Sequence, residues 1–140
     1  MAQLSISFLT WRRYLQRQIL PYGITLKQLF VLHQLAKNTF LYPSEIAEML
    51  FCDRPTATVI INNLCKQQWI KRNQEESNHK HVRISLTPAG RAKIAELEST
   101  HWDESDPLAT FTDEEIQQLT GLLRKFKQQV DQIDQSEKSA

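Results

Sequence analysis

The sequence predicts a mainly α fold with a small β-wing, a winged helix-turn-helix domain flanked by N- and C-terminal dimerisation helices. Three observations carry this expectation. Residues 44 to 50 read Ser-Glu-Ile-Ala-Glu-Met-Leu, a short apolar helix, and Phe51-Cys52 then turn the chain sharply. Asp53-Arg54-Pro55-Thr56-Ala57-Thr58-Val59-Ile60-Ile61-Asn62-Asn63-Leu64 follows as a second helix with small polar residues on its outer face. A basic hairpin comes next and closes on Arg83-Ile84-Ser85-Leu86-Thr87-Pro88-Ala89-Gly90-Arg91. A helix, a turn, a reading helix and a basic wing, in that order, are the parts of a winged DNA reader.

Each element has its own local reason. Leu4, Phe8, Trp11, Leu15 and Ile19 recur at steps of three and four, so the first twenty residues form an amphipathic helix that Pro21-Tyr22-Gly23 closes. Thr25 with Gln28 makes a capping box opening a second helix through about Ala36, with Leu29, Leu32, His33 and Leu35-Ala36 turned inward. Pro43 suits the first turn of the third helix, whose inner face is Ile46, Ala47 and Leu50. Asp53 caps the fourth helix, which buries Ala57, Ile60, Ile61 and Leu64 and leaves Arg54, Thr56, Thr58, Val59, Asn62, Asn63 and Lys66 outside.

Trp69-Ile70 leads into a strand, residues 74 to 80 form a polar hairpin tip, and Val82, Ile84 and Leu86 alternate in the returning strand. Thr87-Pro88 restarts helix to about His101, with Ala89, Ile94 and Leu97 inward, and a loop spans Asp103 to Phe111. Thr112 with Glu115 makes a second capping box before a long apolar stripe from Ile116 to Ile133, and the tail from Gln135 is too polar to order itself.

At 140 residues the chain is one domain by size, with a winged core over about 24–100 and dimerisation helices over about 2–20 and 112–134. Net charge is only +1, but it is unevenly spread. Residues 54 to 93 hold eight Lys or Arg against two acids, a balance of +6, whereas residues 96 to 115 hold eight acids and no Lys or Arg. One face is thus suited to phosphate and the rest is not. The start lacks a signal-like basic and apolar pair of segments, and no apolar run reaches membrane-spanning length, so the expected place is the cytoplasm with no membrane partner. In that setting Cys52 and Cys65 are expected as reduced thiols.

With these pieces in order the chain resembles the MarR family of bacterial transcriptional regulators over roughly residues 4 to 134. The resemblance rests on Ile24-Thr25-Leu26-Lys27-Gln28-Leu29-Phe30-Val31-Leu32, Glu45-Ile46-Ala47, Arg54-Pro55-Thr56-Ala57-Thr58, and Val82 to Gly90 after the wing. It implies a homodimer with intertwined terminal helices, one winged domain per half-site of palindromic DNA, and a repressor that a small amphipathic or phenolic effector releases. The sequence departs from the family in three places. Asn78-His79-Lys80 stands where Asp-Arg-Arg is common at the wing, Val59 where the reading helix often has Arg, and Gln68 where that helix often ends on Gly. Asn78 cannot brace a cation as Asp does, and His79 is mostly neutral near pH 7.

The expected DNA-binding residues are Arg54, Thr56, Thr58, Val59, Asn62, Asn63, Lys66, Arg72, His79, Lys80 and Arg83. Thr and Asn are poor helix formers, and on an outer face they suit base edges and phosphates. Thr56, Thr58 and Asn62 are expected in the major groove, with Arg54 and Arg72 on phosphate. Trp11, Tyr14, His33 and Phe40 are the candidate effector pocket, and ordinary core is the competing reading for each, as it is for Trp102 and Phe111. No cofactor and no metal are expected, since His79-Lys80-His81 and His101 have no further ligand at coordinating spacing. With three glycines and no phosphate loop or nucleophile elbow, no catalytic residue is expected and the chain is not read as an enzyme. The alternative function is a protein-interaction module or adaptor on a winged scaffold whose DNA binding has weakened.

Overall fold

The computed structural model describes residues 1–75, 78–99 and 107–139; the side chains of 75, 78–80, 138 and 139 lie outside the description. The chain divides into two compact units, Met1–Thr100 and His101–Ala140. The order is α1 (Ala2–Ile19), a 3₁₀ turn (Leu20–Tyr22), α2 (Leu26–Lys37), α3 (Pro43–Met49), α4 (Arg54–Lys66), β1 (Ile70–Glu75), β2 (Asn78–Leu86), α5 (Pro88–Glu98) and α6 (Asp113–Ser139). The mainly α class with a two-stranded antiparallel wing is as expected.

Local side-chain caps set the helix starts. The Thr25 hydroxyl accepts from the Gln28 N–H at 3.3 Å while the Thr25 N–H donates to Gln28 Oε1 at 3.0 Å, so two otherwise unsatisfied donors are paired. Thr112 and Glu115 do the same for α6. The Tyr42 N–H donates to Glu45 Oε2 at 2.7 Å ahead of α3, with Pro43 in the first turn. Gly23, at φ 67, takes the left-handed position that ends the 3₁₀ turn.

The first unit's core runs through Ile19, Ile24, Val31, Leu32 and Leu35, then Leu41, Ile46 and Ala47, then Ala57, Ile61 and Leu64, and closes on Ile70, Ile84, Ile94 and Leu97. Two expectations about this core are corrected. Ala36 is exposed and Val31 buried, because α2 turns its inward stripe one position earlier; Ala89 is exposed, and Gly90 instead is the buried residue of its turn. The wing pairs Ile70 with Leu86, Arg72 with Ile84 and Gln74 with Val82, and the register shifts between Gln74 and Glu75. Gln74, Glu75 and Asn78–Lys80 are strand rather than hairpin tip, since ladder pairing carries the polar segment further than its composition suggests. Residues 76 and 77 lie outside the described part. On its other edge β2 is held by Leu41, whose N–H and C=O both pair with Ile84 at 2.9 and 2.8 Å.

Gly90 explains the Thr-Pro-Ala-Gly junction. A Cβ there would stand 2.1 Å from the Trp69 carbonyl oxygen. The close approach is fixed by Thr87, whose N–H donates to that same carbonyl at 3.0 Å and whose hydroxyl donates to the Gln68 carbonyl at 2.6 Å while accepting from the Gly90 N–H at 3.0 Å. Lys93 lies over the rings of Trp69 and Tyr22 at 5.3 and 5.7 Å and pairs with Glu96 at 2.8 Å. Its cation therefore braces α5 and is not presented to a ligand.

In the second unit α6 reaches Ser139, past the expected end near Gln135, because Gln, Glu and Lys propagate a helix once it is started. The expected continuation of α5 to His101, Trp102, and the start of the loop at Asp103 fall outside the described residues.

Candidate nucleic-acid interface

The α4 helix is positioned from both ends. Asp53 Oδ1 accepts from the Thr56 N–H at 2.8 Å, and Pro55 occupies the first turn. The Thr56 bonds hold the Asp53 carboxyl below the usual carboxylate value, slightly opposed by desolvation. With Ala57, Ile61 and Leu64 buried, the helix has one rotational setting. Its solvent face then has two flanks. Thr56, Val59, Asn63 and Lys66 are exposed at steps of three and four, with Val59 57% exposed. Arg54, Thr58 and Asn62 recur every fourth residue and turn toward the wing.

The wing-facing flank is occupied. Thr58 Oγ1 donates back to the Arg54 carbonyl at 2.8 Å, which leaves the hydroxyl as an acceptor. Arg54 and Thr58 line a cleft of about 590 Å³ with Tyr42, Pro43, Ser44, His81 and Val82. Arg72 Nη2 donates to Asn62 Oδ1 at 2.5 Å, bridging α4 and β1. Arg83 is half-buried with its guanidinium 4.3 Å from the centroid of Phe40. Phe40 in turn meets Tyr42 edge-on at 5.4 Å, and Tyr42 meets His81 at 6.0 Å.

Eight of the expected DNA residues are thus placed with their side chains: Thr56, Val59, Asn63 and Lys66 outward, Arg54, Thr58 and Asn62 toward the wing, and Arg72 exposed on β1. Arg83 sits on β2 but is stacked on Phe40. His79 and Lys80 lie on β2, and their side chains are outside the description. Sequence reasoning missed Tyr42, Ser44 and His81. The long-range bridge of Leu41 to Ile84 joins the segment before α3 to β2, and no local pattern encodes it.

Of the four candidate pocket residues, two stack on each other and one joins the wing cluster. Trp11 stacks on Tyr14 at 5.7 Å and 19°, Phe40 belongs to the wing cluster, and His33 is half-buried on α2. A hollow of about 540 Å³ runs along α1 beside Leu9, Arg12, Arg13, Gln16, Arg17 and Leu20, and neither Trp11 nor Tyr14 lines it. Cys52 and Cys65 are free, half-buried thiols. Among the described residues no group of three or more His, Cys, Asp or Glu is placed to hold a metal, and no helix is long and apolar enough to cross a membrane.

Helix-turn-helix, wing and outward polar face together define a winged helix-turn-helix protein. The sequence model of the MarR family matches residues 24–82. The uncharacterized HTH-type transcriptional regulator YwoH of Bacillus subtilis is 30% identical over 113 residues, 80% of this chain and 82% of that protein. The HTH-type transcriptional regulator PecS of Dickeya dadantii is 28% identical over 119 residues, 82% of this chain and 72% of that one. Among solved structures, a MarR mutant from E. coli complexed with operator DNA superposes with a TM-score of 0.78 at 22% identity, covering 89% of this chain and 91% of that one, a likeness of fold. The chain belongs to the MarR family and is a DNA-binding transcription regulator, not an enzyme.

Proposed function

We propose that the protein is a cytoplasmic repressor that binds a pseudo-palindromic operator as a homodimer and is released by a small amphipathic or phenolic effector. The observation that carries this reading is the outer stripe of α4, where Thr56, Val59, Asn63 and Lys66 are exposed on a helix whose opposite face is locked into the core. Such a helix fits the major groove, the Val59 side chain suits a thymine methyl, and Arg54 and Arg72 flank it as phosphate donors. Operator DNA in the related MarR complex supports the same use of the fold. Two copies would present their α4 helices about one helical turn apart, roughly 34 Å.

The dimer is supported by apolar residues that remain exposed on α1 and on α6. Support for an effector comes from the Trp11–Tyr14 stack, with Trp11 42% exposed, which offers a planar aromatic surface at the helix expected to join the copies.

Selection of DNA fragments by the purified protein, followed by binding titrations over a salt series, tests the reading. A regulator should enrich a sequence with two-fold symmetry and bind it with a steep salt slope. Failure to enrich any sequence, with salt-independent binding, would favour the adaptor instead. Adding phenol to the bound complex should quench tryptophan fluorescence and release the DNA; no change in either would remove the effector from the proposal.

A further inference from the structure

Residues 54, 58 and 62 form one flank of α4 and face the wing, and of the three Asn62 is bonded to it. Arg54 and Thr58 line the cleft with His81 and Val82, and one turn further on Asn62 Oδ1 accepts from Arg72 Nη2 at 2.5 Å. Asn62 is half-buried while Arg72 is exposed on β1. The bond takes one of the two lone pairs of the Asn62 carbonyl and fixes the direction in which that oxygen points. Bidentate pairing with adenine needs that oxygen and the amide nitrogen aimed together at the base edge, whereas the bond to Arg72 turns the oxygen toward β1.

For Arg72 the same bond has the opposite consequence. A long side chain on a strand samples many rotamers and must give them up when it docks. Held at one Nη by Asn62, it keeps its remaining N–H donors in a fixed fork at the junction of reading helix and wing.

We propose that Asn62 is a positioning residue whose carbonyl presets Arg72 as a donor to the DNA backbone, and that it does not itself read a base. The inference rests on the DNA-binding reading above and names the task of one residue within it.

The test measures affinity of the full-length wild type, Asn62→Ala, Arg72→Ala and the double variant on a selected operator and on a random duplex of equal length, across a salt series. Asn62→Ala should weaken both duplexes alike, on the order of tenfold, and make the salt slope shallower by up to about 1, as loss of a phosphate contact does. In the Arg72→Ala background it should change nothing. A loss confined to the operator, with the wild-type salt slope and persisting without Arg72, would show Asn62 to be a base reader and overturn the proposal. Arg72→Lys, an exposed change that keeps the charge but not the fork, gives the same comparison if Asn62→Ala does not fold; wild-type affinity in that variant would also overturn it.

The clamp is separable from DNA binding itself. In the DNA-free protein, guanidinium NMR should show slowed rotation of the Arg72 Nη groups that Asn62→Ala abolishes. Free rotation in the wild type overturns the clamp whatever the DNA result, whereas a slowed Arg72 in a protein that binds neither duplex would overturn the DNA-binding reading and leave the clamp standing.

Discussion

Among the described residues, two outside glycine adopt left-handed backbone, and they bracket α4: Phe51 at φ 50 before it and Gln68 at φ 59 after it. At Gln68 the conformation is enforced by its surroundings, because its carbonyl accepts from the Thr87 hydroxyl and the next carbonyl accepts from the Thr87 N–H. A side chain carrying a Cβ is strained there, so Gln68→Gly should raise stability by about 0.5–1 kcal/mol, read as a higher urea midpoint with an unchanged slope. The neighbouring glycine works in the reverse sense. Gly90→Ala would put a methyl 2.1 Å from the backbone oxygen of Trp69. It should cost about 2 kcal/mol despite alanine's better helix propensity, and a melting temperature at or above the wild type would show that the junction can yield.

Asp53 adds a pH dependence whose sign is fixed. Its carboxyl is held below the ordinary value because the ionised form accepts the Thr56 bonds. The stabilisation is therefore present above the unfolded value and is lost as pH falls through the lower folded one. Asn caps equally well without titrating, so Asp53→Asn should match the wild type at neutral pH and lose less stability in acid. Equal acid sensitivity of the two would show that this cap is not part of the acid response.

On the proposed reading, α4 and the wing divide the work of contacting DNA. With the Asn62 carbonyl turned to Arg72, Asn63 is the amide on the outer stripe beside Thr56 and Val59. Asn63→Ala should cost on the order of 1–3 kcal/mol on the selected operator and little on random DNA, whereas equal loss on both would assign Asn63 to the backbone.

The same elements show what a sequence makes legible. The Thr25–Gln28 and Thr112–Glu115 boxes and the Asp53 cap act over three residues, and the sequence shows each. Helix order and the wing follow from periodicity, which also lies within a short window. What could not be read is where long side chains travel. Arg83 and Lys93 count toward the basic block in the sequence, yet one is stacked on Phe40 and the other packed over Trp69 and Tyr22, so the charge facing DNA is smaller than +6 implies. Phe40 has the composition of a pocket residue, but the Leu41–Ile84 bridge carries it to the wing. These contacts cross tens of residues, and no local pattern specifies them.

For the whole molecule the unresolved demand is apolar surface. On α1, Ile6, Phe8 and Leu9 are 56%, 59% and 54% exposed, and on α6, Leu122, Leu123 and Ile133 are 67%, 46% and 58% exposed. Single exposed apolar side chains are ordinary, but on α6 they recur at helical spacing, which is the pattern of surface awaiting a partner. The α6 residues run from Ile116 through Leu119, Leu123, Phe126, Val130 and Ile133 at steps of three and four, one continuous seam of six positions. A seam on a helix of 27 residues is long enough to bury a stable interface against a second copy, and a two-fold axis would let each copy cover the other. Light scattering at micromolar concentration should therefore give twice the chain mass, with a melting temperature that rises with concentration. Leu123→Glu together with Phe126→Glu should dissociate the dimer by placing paired carboxylates in the seam, and DNA affinity should fall with it because one α4 alone engages only half a site. A wild type that stays monomeric at these concentrations would overturn the dimer, and a double variant that remains dimeric with full affinity would place the interface elsewhere.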